Sequence, residues 1–185
     1  LYSSAASDVY KRQDKVADQI SDALVDAGLQ AGDETTRVAV ETMVTTNYVV
    51  LAGEVKNFNV TNEQVEQIIR DKVKQIGQAI DSMETHYHGR IAVLFLDDSG
   101  MRMGDPEGVV NFGLLIKGVL VAVLIKTSGQ TQYRVSLRSR ENIDVAKVAQ
   151  VFSGGGHTRA AGCNLNGNLE DIKHRLLTEI AHQLT

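Results

Sequence analysis

The sequence predicts an α/β protein made of two small units, and three observations support this. Apolar residues recur at helical spacing in several segments, and β-branched runs of strand length lie between them. The character of the strands also changes after Gly77: the earlier runs mix apolar and polar residues, whereas Ile91–Leu96 is continuously apolar. A continuous apolar run is typical of a strand covered on both faces. We therefore expect an α+β first unit followed by a fuller α/β second unit.

The first unit is predicted to span residues 14–77 in the order helix, strand, strand, helix. A patterned helix is expected to begin at Asp14 and to stop at Gly28. Two β-branched runs, 37–44 and 48–55, predict a pair of strands. The second helix follows a sequence with the form of a capping box, Thr-Asn-Glu-Gln, and the glycine at position 77 is expected to end it.

The second unit is predicted to span residues 79–185. A short helix is expected over 108–116, and Asp144 and Asn168 have the residue types that cap helices. Three strands are predicted in this unit from their apolar runs, at 91–96, 119–125 and 132–137.

Composition limits the classes of function. The chain has 185 residues, of which 43% are hydrophobic and 23% charged, and a net charge of −4. One cysteine cannot form an internal disulfide, so we expect a cytoplasmic location. No apolar run approaches the ~20 residues that cross a bilayer, so no membrane partner is expected. A negative net charge gives no general attraction to nucleic acid, so any such binding must come from a local site.

Residues 1–13 lack the patterning of the sequence that follows them. They read L-Y-S-S-A-A-S-D-V-Y-K-R-Q, which resembles translated adapter sequence found in environmental sequence assemblies. The alternative is an ordinary flexible terminus. We interpret this segment as a non-native tail and leave it out of the fold prediction.

The positions of several carboxylates in the first unit can be interpreted in two ways. Asp14, Asp18 and Asp22 are spaced four residues apart, which places them on one stripe of a helix, where a solvated acidic face is the simpler explanation. Glu41 and Glu54 lie inside apolar strand runs, where an unpaired buried carboxylate would be costly. From the pattern alone, each is equally explained by a position on the solvent face of a hairpin.

Four runs within residues 14–77 form a recognisable series: D-K-V-A-D-Q-I-S-D-A, R-V-A-V-E-T-M-V-T-T, V-V-L-A-G-E-V and I-I-R-D-K-V-K-Q-I-G. In this order they resemble the amino-terminal domain of S-adenosylmethionine synthetase. The resemblance implies that Asp14 is a magnesium ligand for the ATP phosphates, that Glu41 lies at a monovalent-cation (potassium) site, and that Glu54 helps to hold methionine. The family's histidine and proline before this aspartate are replaced by Arg12 and Gln13. We therefore expect no catalytic residue here and an inactive fragment.

A glycine-rich segment in the second unit suggests a phosphate site. Residues 153–163 read S-G-G-G-H-T-R-A-A-G-C, some twenty residues after Arg138 and Ser139 at the end of a predicted strand. Consecutive glycines let backbone N–H groups approach a phosphate, and an arginine binds one in bidentate fashion. A glycine triplet by itself is more often an ordinary loop.

The wider pattern supports the phosphate interpretation. G-R-I-A-V-L-F-L, D-P-E-G-V-V-N-F, V-S-L-R-S and G-G-G-H-x-x-A-A-G-C resemble the DHH-associated carboxy-terminal domain, the second lobe of DHH phosphoesterases. That family includes oligoribonucleases and cyclic-dinucleotide phosphodiesterases. The resemblance implies that this lobe holds the phosphate or base of a nucleotide through Arg138, Ser139, Gly154, Gly155, Gly156 and His157.

No cofactor and no further reactive residue are expected. The manganese ions of DHH phosphoesterases belong to their other lobe, and magnesium plus potassium belong to the synthetase, so no cofactor is expected for this chain alone. His86 and His88 form an H-x-H pattern but have no further ligand at suitable spacing, and we expect them to be solvated. Cys163 is expected to be a packing residue rather than a nucleophile.

Taken together, the sequence is interpreted as a chimera of two enzyme fragments. The expected function is that of a nucleotide- or short-RNA-binding lobe of a DHH-family phosphoesterase, without its metal-binding catalytic lobe. A short RNA or dinucleotide is the expected partner, and binding should be weak. The alternative is a fragment of S-adenosylmethionine synthetase, a methionine adenosyltransferase that binds ATP and methionine, inactive as it stands.

Overall fold

The computed structural model describes residues 3–45, 48–97, 108–140 and 143–184, with side chains from Asp14 onward. The fold is mixed α/β with two separate sheets, which confirms the predicted class. The chain divides into two compact units, the first ending at Gly77 and the second beginning at Gln78. None of the helices within these ranges is long and apolar enough to cross a membrane.

The first unit has the predicted order of elements. Helix α1 (Ser3–Ala31) is followed by strands β1 (Arg37–Thr45) and β2 (Tyr48–Lys56) and by helix α2 (Asn62–Asp81). The strands form a two-stranded antiparallel sheet in which Arg37 pairs with Lys56.

Both helices of the first unit are longer than predicted. Helix α1 begins at Ser3, within the segment interpreted as a tail, and continues through Gly28 to its end at Ala31. Gly28 was expected to stop the helix, but it is a buried packing position: a Cβ there would lie 2.5 Å from the ring of Phe58. Gly77 likewise lies inside helix α2, which ends four residues later at Asp81. A glycine within a helix costs only about 1 kcal/mol, so it does not have to end one.

The capping box is confirmed. Thr61 N–H donates to Gln64 Oε1 at 2.8 Å, and Gln64 N–H donates to Thr61 Oγ1 at 3.3 Å. The two residues thus satisfy one donor each at the start of α2, as the motif requires.

The core of the first unit is small. Its buried residues are Ile20, Ala23, Leu24 and Ile68 from the two helices, with Val40 of β1 packed against them. Side chains of β1 alternate between half-buried and exposed, whereas every residue of β2 is exposed.

The second unit contains a six-stranded sheet of order β3-β4-β5-β6-β8-β7. Strands β4 and β5 are parallel, and every other neighbouring pair is antiparallel. The bounds of its strands are β3 Glu84–His86, β4 Ile91–Leu96, β5 Val121–Thr127, β6 Gln132–Ser139, β7 Gly155–His157 and β8 Ala160–Asn166. Three of these, β3, β7 and β8, were not predicted, and the glycine cluster expected to form a loop supplies the edge strand β7.

Helices cover this sheet unequally. Helices α3 (Val145–Val151) and α4 (Leu169–His182) pack on one face with the buried residues of all the longer strands. A 3₁₀ helix, Val109–Leu115, replaces the predicted short helix; a Cβ added at its Gly113 would meet alanine side chains of β4 and β5, so it packs closely on the opposite face. On β6 and β8 that opposite face carries half-buried and exposed residues, and the candidate site lies there.

Both predicted caps of the second unit are confirmed. The carboxylate of Asp144 accepts hydrogen bonds from Ala146 N–H and Lys147 N–H at the start of α3. The Asn168 side chain accepts from Glu170 N–H and Asp171 N–H at the start of α4. Each cap stabilises its helix by about 1 kcal/mol.

Candidate functional site

A cleft of about 620 Å³ lies over strands β6 and β8 of the second unit. Its polar lining comes from both strands, and the turn after helix α3 closes one side. The lining residues are Arg134, Val135, Ser136, Arg138, Phe152, Ser153, Gly154, Gly155, Ala160, Ala161, Gly162, Cys163 and Asn164.

The period of the two strands creates this surface. Along β6, Tyr133, Val135, Leu137 and Ser139 are buried, whereas the residues between them are half-buried or exposed. Strand β8 alternates in the same way, with its buried residues facing the same core. Because side chains alternate between faces, every second residue of each strand faces the cleft.

Arg138 is the predicted phosphate-binding cation, and the structure places it in this cleft. It is half-buried, and its Nη1 donates to the carbonyl of Leu137 at 3.1 Å. Its cross-strand partners are Ala160 on β8 and Ala122 on β5, whose small side chains leave room beside the guanidinium. A guanidinium held against the sheet in this way remains able to offer further donors to an anion.

Ser139 was predicted to bind beside Arg138, but its geometry assigns it a structural role. It belongs to the buried side of β6, and its hydroxyl donates to the carbonyl of Ile143 at 2.7 Å. It does not line the cleft. Successive residues of a strand point to opposite faces, so Ser139 lies on the buried face of β6 while Arg138 faces the cleft. Their adjacency in the sequence had suggested that both would bind the ligand.

The three glycines of the G-G-G-H run have different roles. Gly154 N–H donates to the carbonyl of Ala149 at 2.8 Å, so it is already used in ending α3 rather than available to a phosphate. A Cβ at Gly154 would lie 2.2 Å from the carbonyl oxygen of Gly162, so this position needs glycine to let the turn approach β8. At Gly155 a Cβ would meet nothing within 4 Å, and this residue borders open space in the cleft.

Gly156 and His157 lie beyond the cleft. Gly156 has a φ of +144°, a conformation that favours glycine, and it continues the edge strand β7. His157 is exposed on the same strand and pairs with Ala160. Of the predicted residues, the structure therefore brings Arg138, Gly154 and Gly155 together in the cleft, and it leaves Ser139, Gly156 and His157 outside its lining.

Three polar residues of the cleft were not among the predicted site residues. Arg134, Ser136 and Asn164 all face it, and Arg134 lies directly opposite Asn164 across the two strands. The alternation of residues along β6 could have identified the first two. Arg134, Ser136 and Arg138 are spaced two residues apart and therefore lie on one face of the strand. Asn164 could be found only once β8 was known to be a strand.

Cys163 is confirmed as a buried residue. Burial raises the pKa of its thiol from 9.0 to about 11, which keeps it protonated near neutral pH. It packs in the core of the second unit with its neighbours in β6 and β8. A protonated, buried thiol is a poor nucleophile, in agreement with the predicted packing role.

The structure places Asp14 half-buried on helix α1, and Glu41 and Glu54 on the β1–β2 hairpin. Glu41 pairs with Ala52 and Glu54 with Ala39, so both carboxylates lie diagonally on the same face of the hairpin. Both are exposed, as the solvent-face interpretation requires, while Val40 on the other face packs with the core. Within the described residues, no three His, Cys, Asp or Glu side chains converge in a way that could hold a metal ion.

Comparisons with known proteins assign each half of the chain. The family model of the S-adenosylmethionine synthetase N-terminal domain matches residues 4–98, and the DHHA1 domain model matches residues 88–183. The first match begins inside the segment interpreted as a tail.

Curated relatives match the first half. The S-adenosylmethionine synthase of Hyphomonas neptunium is 42% identical over 113 residues, which are 55% of this chain and 28% of that protein. S-adenosylmethionine synthase 2 of Rhodospirillum rubrum is 55% identical over 65 residues, 35% of this chain and 16% of that protein. The chain thus spans less than a third of the length of these relatives.

A solved structure resembles this chain in fold. An exopolyphosphatase-related protein from Bacteroides fragilis superimposes with a TM-score of 0.54 and 21% identity, covering 66% of this chain and 39% of that chain. Because two family models each match more than half of the sequence, the chain belongs to the S-adenosylmethionine synthetase N-terminal domain family through its first half and to the DHHA1 family through its second.

Proposed function

We propose that the second unit is a nucleotide- or short-RNA-binding lobe of the DHH phosphoesterase type, which uses the cleft on β6 and β8. The observation that carries this proposal is the half-buried Arg138 on the floor of a 620 Å³ polar cleft, with Gly155 at its border. Membership of the DHHA1 family supports the same surface as the ligand site.

The chemistry of the cleft favours a phosphate group. A guanidinium offers a planar fork of donors that matches two phosphate oxygens. The lack of a side chain at Gly155, where a Cβ would meet nothing within 4 Å, lets a ligand approach the backbone closely. Ser136 adds a hydroxyl between the two cleft arginines that can donate or accept.

Binding rather than hydrolysis is proposed for this chain. Phosphodiester cleavage in DHH phosphoesterases uses metal ions held by a separate lobe, and the described residues bring no three metal ligands together. A ligand held by one lobe contacts protein on one side only. We therefore expect millimolar to high-micromolar affinity, about −4 to −5.5 kcal/mol.

Titration of the full chain with a 5′-phosphorylated dinucleotide tests the proposal. Arg138→Ala should weaken binding by on the order of tenfold, since a hydrogen bond to a charged group contributes about 1.5–3 kcal/mol. His157→Ala should have a smaller effect because His157 lies outside the cleft. The charge-matched control is Arg70→Gln, which removes an exposed arginine paired with Glu66 in the first unit and should leave binding unchanged.

Salt provides a second criterion. Affinity should fall as salt concentration rises, because phosphate contacts release counterions. A saturable, salt-sensitive shift that Arg138→Ala weakens supports the cleft. The proposal fails if the wild-type chain gives no such shift, or if Arg138→Ala binds as tightly as wild type.

The first unit carries a second candidate function, methionine or ATP binding as a fragment of S-adenosylmethionine synthetase. Its 42% identity to a curated synthase and the shared face of Glu41 and Glu54 favour this candidate. Methionine titration of the wild-type chain and of Glu54→Gln tests it. Saturable binding that is weakened by the substitution would support it, and no binding would exclude it.

A further inference from the structure

Strand β2 of the first unit has an open edge in the part of the chain that the structure describes. It pairs with β1 on one side, and the described residues place no third strand on its other side. Helix α1 packs over β1, and the core cluster of the first unit contains no described residue of β2. All nine residues of the strand are exposed. The edge therefore offers a row of backbone N–H and C=O groups about 30 Å long.

Apolar side chains of β2 are exposed on both faces of the hairpin. On the outer face these are Tyr48 and Val50, and on the face towards the helices they are Val49, Leu51 and Val55. Their exposed fractions range from 37% to 70%. A partner stacked on one face would cover only one of the two sets. A strand added at the edge pairs with the backbone and borders both faces, so the distribution favours a strand as the occupant.

An apolar groove of about 170 Å³ lies beside this edge, on the face towards the helices. Leu51 and Val55 of β2 form one wall, and side chains of β1 and of both helices form the rest. Gly53 lies between these two residues and needs to be glycine, because a Cβ there would lie 1.9 Å from the carbonyl oxygen of Ala39. The groove therefore stays open at the middle of the strand, where it can accept an aliphatic side chain from an added strand.

We infer that the added strand is β2 of a second copy of this chain, paired antiparallel about a two-fold axis at Ala52. The pairing joins two hairpins into a four-stranded sheet. A two-fold axis perpendicular to the sheet keeps equivalent faces of both strands on the same side, so apolar residues meet apolar residues. The inference concerns the first unit and does not depend on the nucleotide site proposed for the second.

The sequence of β2 is complementary to itself in this register. An axis at Ala52 pairs all nine residues of each strand and sets Leu51 opposite Gly53 of the second copy, where the groove is open. It also sets Tyr48 opposite Lys56, which allows a cation to lie over an aromatic ring.

Two neighbouring registers are disfavoured by charge. The charged residues of β2 are Glu54 and Lys56, and both are exposed. An axis at either of them would set that residue directly opposite its own copy. Like charges directly opposite each other destabilise a strand pair. The axis at Ala52 places no like charges opposite each other.

Cross-linking of the full chain tests the pairing. Paired Cα atoms of antiparallel strands lie about 4.5–5.5 Å apart, which is within the range that a disulfide spans. Ala52→Cys should therefore form a disulfide-linked dimer on mild oxidation, seen on a non-reducing gel. Ala39→Cys is the matched control, because it is an exposed alanine on the outer face of β1. Three strand spacings, at least about 14 Å, would separate it from its copy, so it should not cross-link.

A pair of opposite charges at Val50 tests the register. Val50 is exposed and lies opposite Glu54 of the second copy when the axis is at Ala52. Val50→Glu should weaken dimerisation through repulsion, and Val50→Lys should strengthen it. Because symmetry repeats the contact, the dissociation constants of the two variants should differ on the order of tenfold. Analytical ultracentrifugation over a range of micromolar concentrations measures this difference.

The outcomes decide between a second copy and other occupants. A wild-type chain that remains monomeric at high-micromolar concentration would overturn the inference and leave the edge to another strand, such as an extended peptide. Equal cross-linking of Ala39→Cys and Ala52→Cys would indicate stacked faces rather than paired edges, which also overturns it. Equal dissociation constants for Val50→Glu and Val50→Lys would overturn the register. Cys163 is buried and should not contribute to the cross-link.

Discussion

The two units bury their apolar residues to very different extents. Among the described residues, the first unit buries four in its core cluster and the second buries twenty. The first sheet has only two strands, and the outer face of its hairpin exposes Met43, Tyr48 and Val50 at 57%, 70% and 45% of their surfaces. In the second unit the strands of the six-stranded sheet are packed under two helices.

This difference in burial predicts a difference in stability between the two units. Stability depends on apolar area removed from water, at about 25 cal/mol per Å². A two-stranded sheet is marginal unless its faces are covered, and the outer face of the β1–β2 hairpin remains exposed. The second unit retains a sheet, a core and two helices, so we expect it to be the more stable of the two.

Truncations of core residues should produce the largest effects, and each should destabilise only the unit that contains it. Leu24 and Leu176 are each 1% exposed, in the first and second cores respectively. We expect urea unfolding to show two transitions, with Leu24→Ala destabilising only the earlier one and Leu176→Ala only the later one, each by about 2–5 kcal/mol. Circular dichroism and hydrogen exchange would follow the transitions. A single transition that both variants shift equally would contradict the independence of the units.

The reactivity of Cys163 should report on the second unit alone. Its pKa rises from 9.0 to about 11 through burial, so at pH 8 its thiolate fraction should be about a hundredfold lower than that of an unburied thiol. Alkylation of the native chain should therefore be slow and should accelerate only across the later transition. The Leu24→Ala variant provides the control, because loss of the first core should leave the alkylation rate unchanged. Fast alkylation of the native chain would show that the second core is open.

Two adjacent glycines of the second unit should differ in how much their substitution destabilises the fold. Gly154→Ala would place a Cβ 2.2 Å from the carbonyl oxygen of Gly162, whereas Gly155→Ala meets nothing within 4 Å. We expect the first substitution to cost about 1–3 kcal/mol, as overpacking does, and the second to have little effect on stability. Thermal unfolding of both variants measures this. Equal destabilisation would mean that the turn does not pack against β8 as described.

The smallest expected effect is the pH dependence of the Lys173 contacts. A hydrogen bond from Lys173, at 3.1 Å, lowers the pKa of Glu84 below its ordinary 4.5. A hydrogen bond to Glu170 is the main cause that raises the pKa of Lys173 above 10.5. A lowered carboxylate pKa adds stability above pH 4.5 that is lost as the pH falls through the folded-state value.

Measurement of Glu84→Gln against wild type tests this sign. Because the Glu84 side chain is 53% exposed, the pair should contribute only about 0.2–1 kcal/mol at pH 7 and less at about pH 3. Glu66→Gln, which removes an exposed carboxylate of the first unit, is the matched control and should leave the later transition unchanged. A larger difference at acid pH than at neutral pH would reverse the assignment.

Local chemistry made part of this fold predictable. The capping box at Thr61 and the caps at Asp144 and Asn168 depend on residues within three positions along the chain, and all form as predicted. The glycine stops at Gly28 and Gly77 were wrong because a single glycine costs a helix only about 1 kcal/mol and both helices continue through it. Strand β7 was missed because three residues rich in glycine carry no strand period.

The candidate site was predictable only in part, for a different reason. The sequence by itself determined the α/β class, the two units, Arg138 as a phosphate-binding candidate and the alternation along β6. Only the tertiary structure decided that Ser139 turns into the core, that Gly154 N–H is occupied, and that Arg134 faces Asn164. These outcomes depend on the pairing of β6 with β8, in which partners such as Gln132 and Asn166 lie 34 residues apart along the chain. The register between such distant segments is set by the burial of both strands against a common core, and no local pattern of residues contains it.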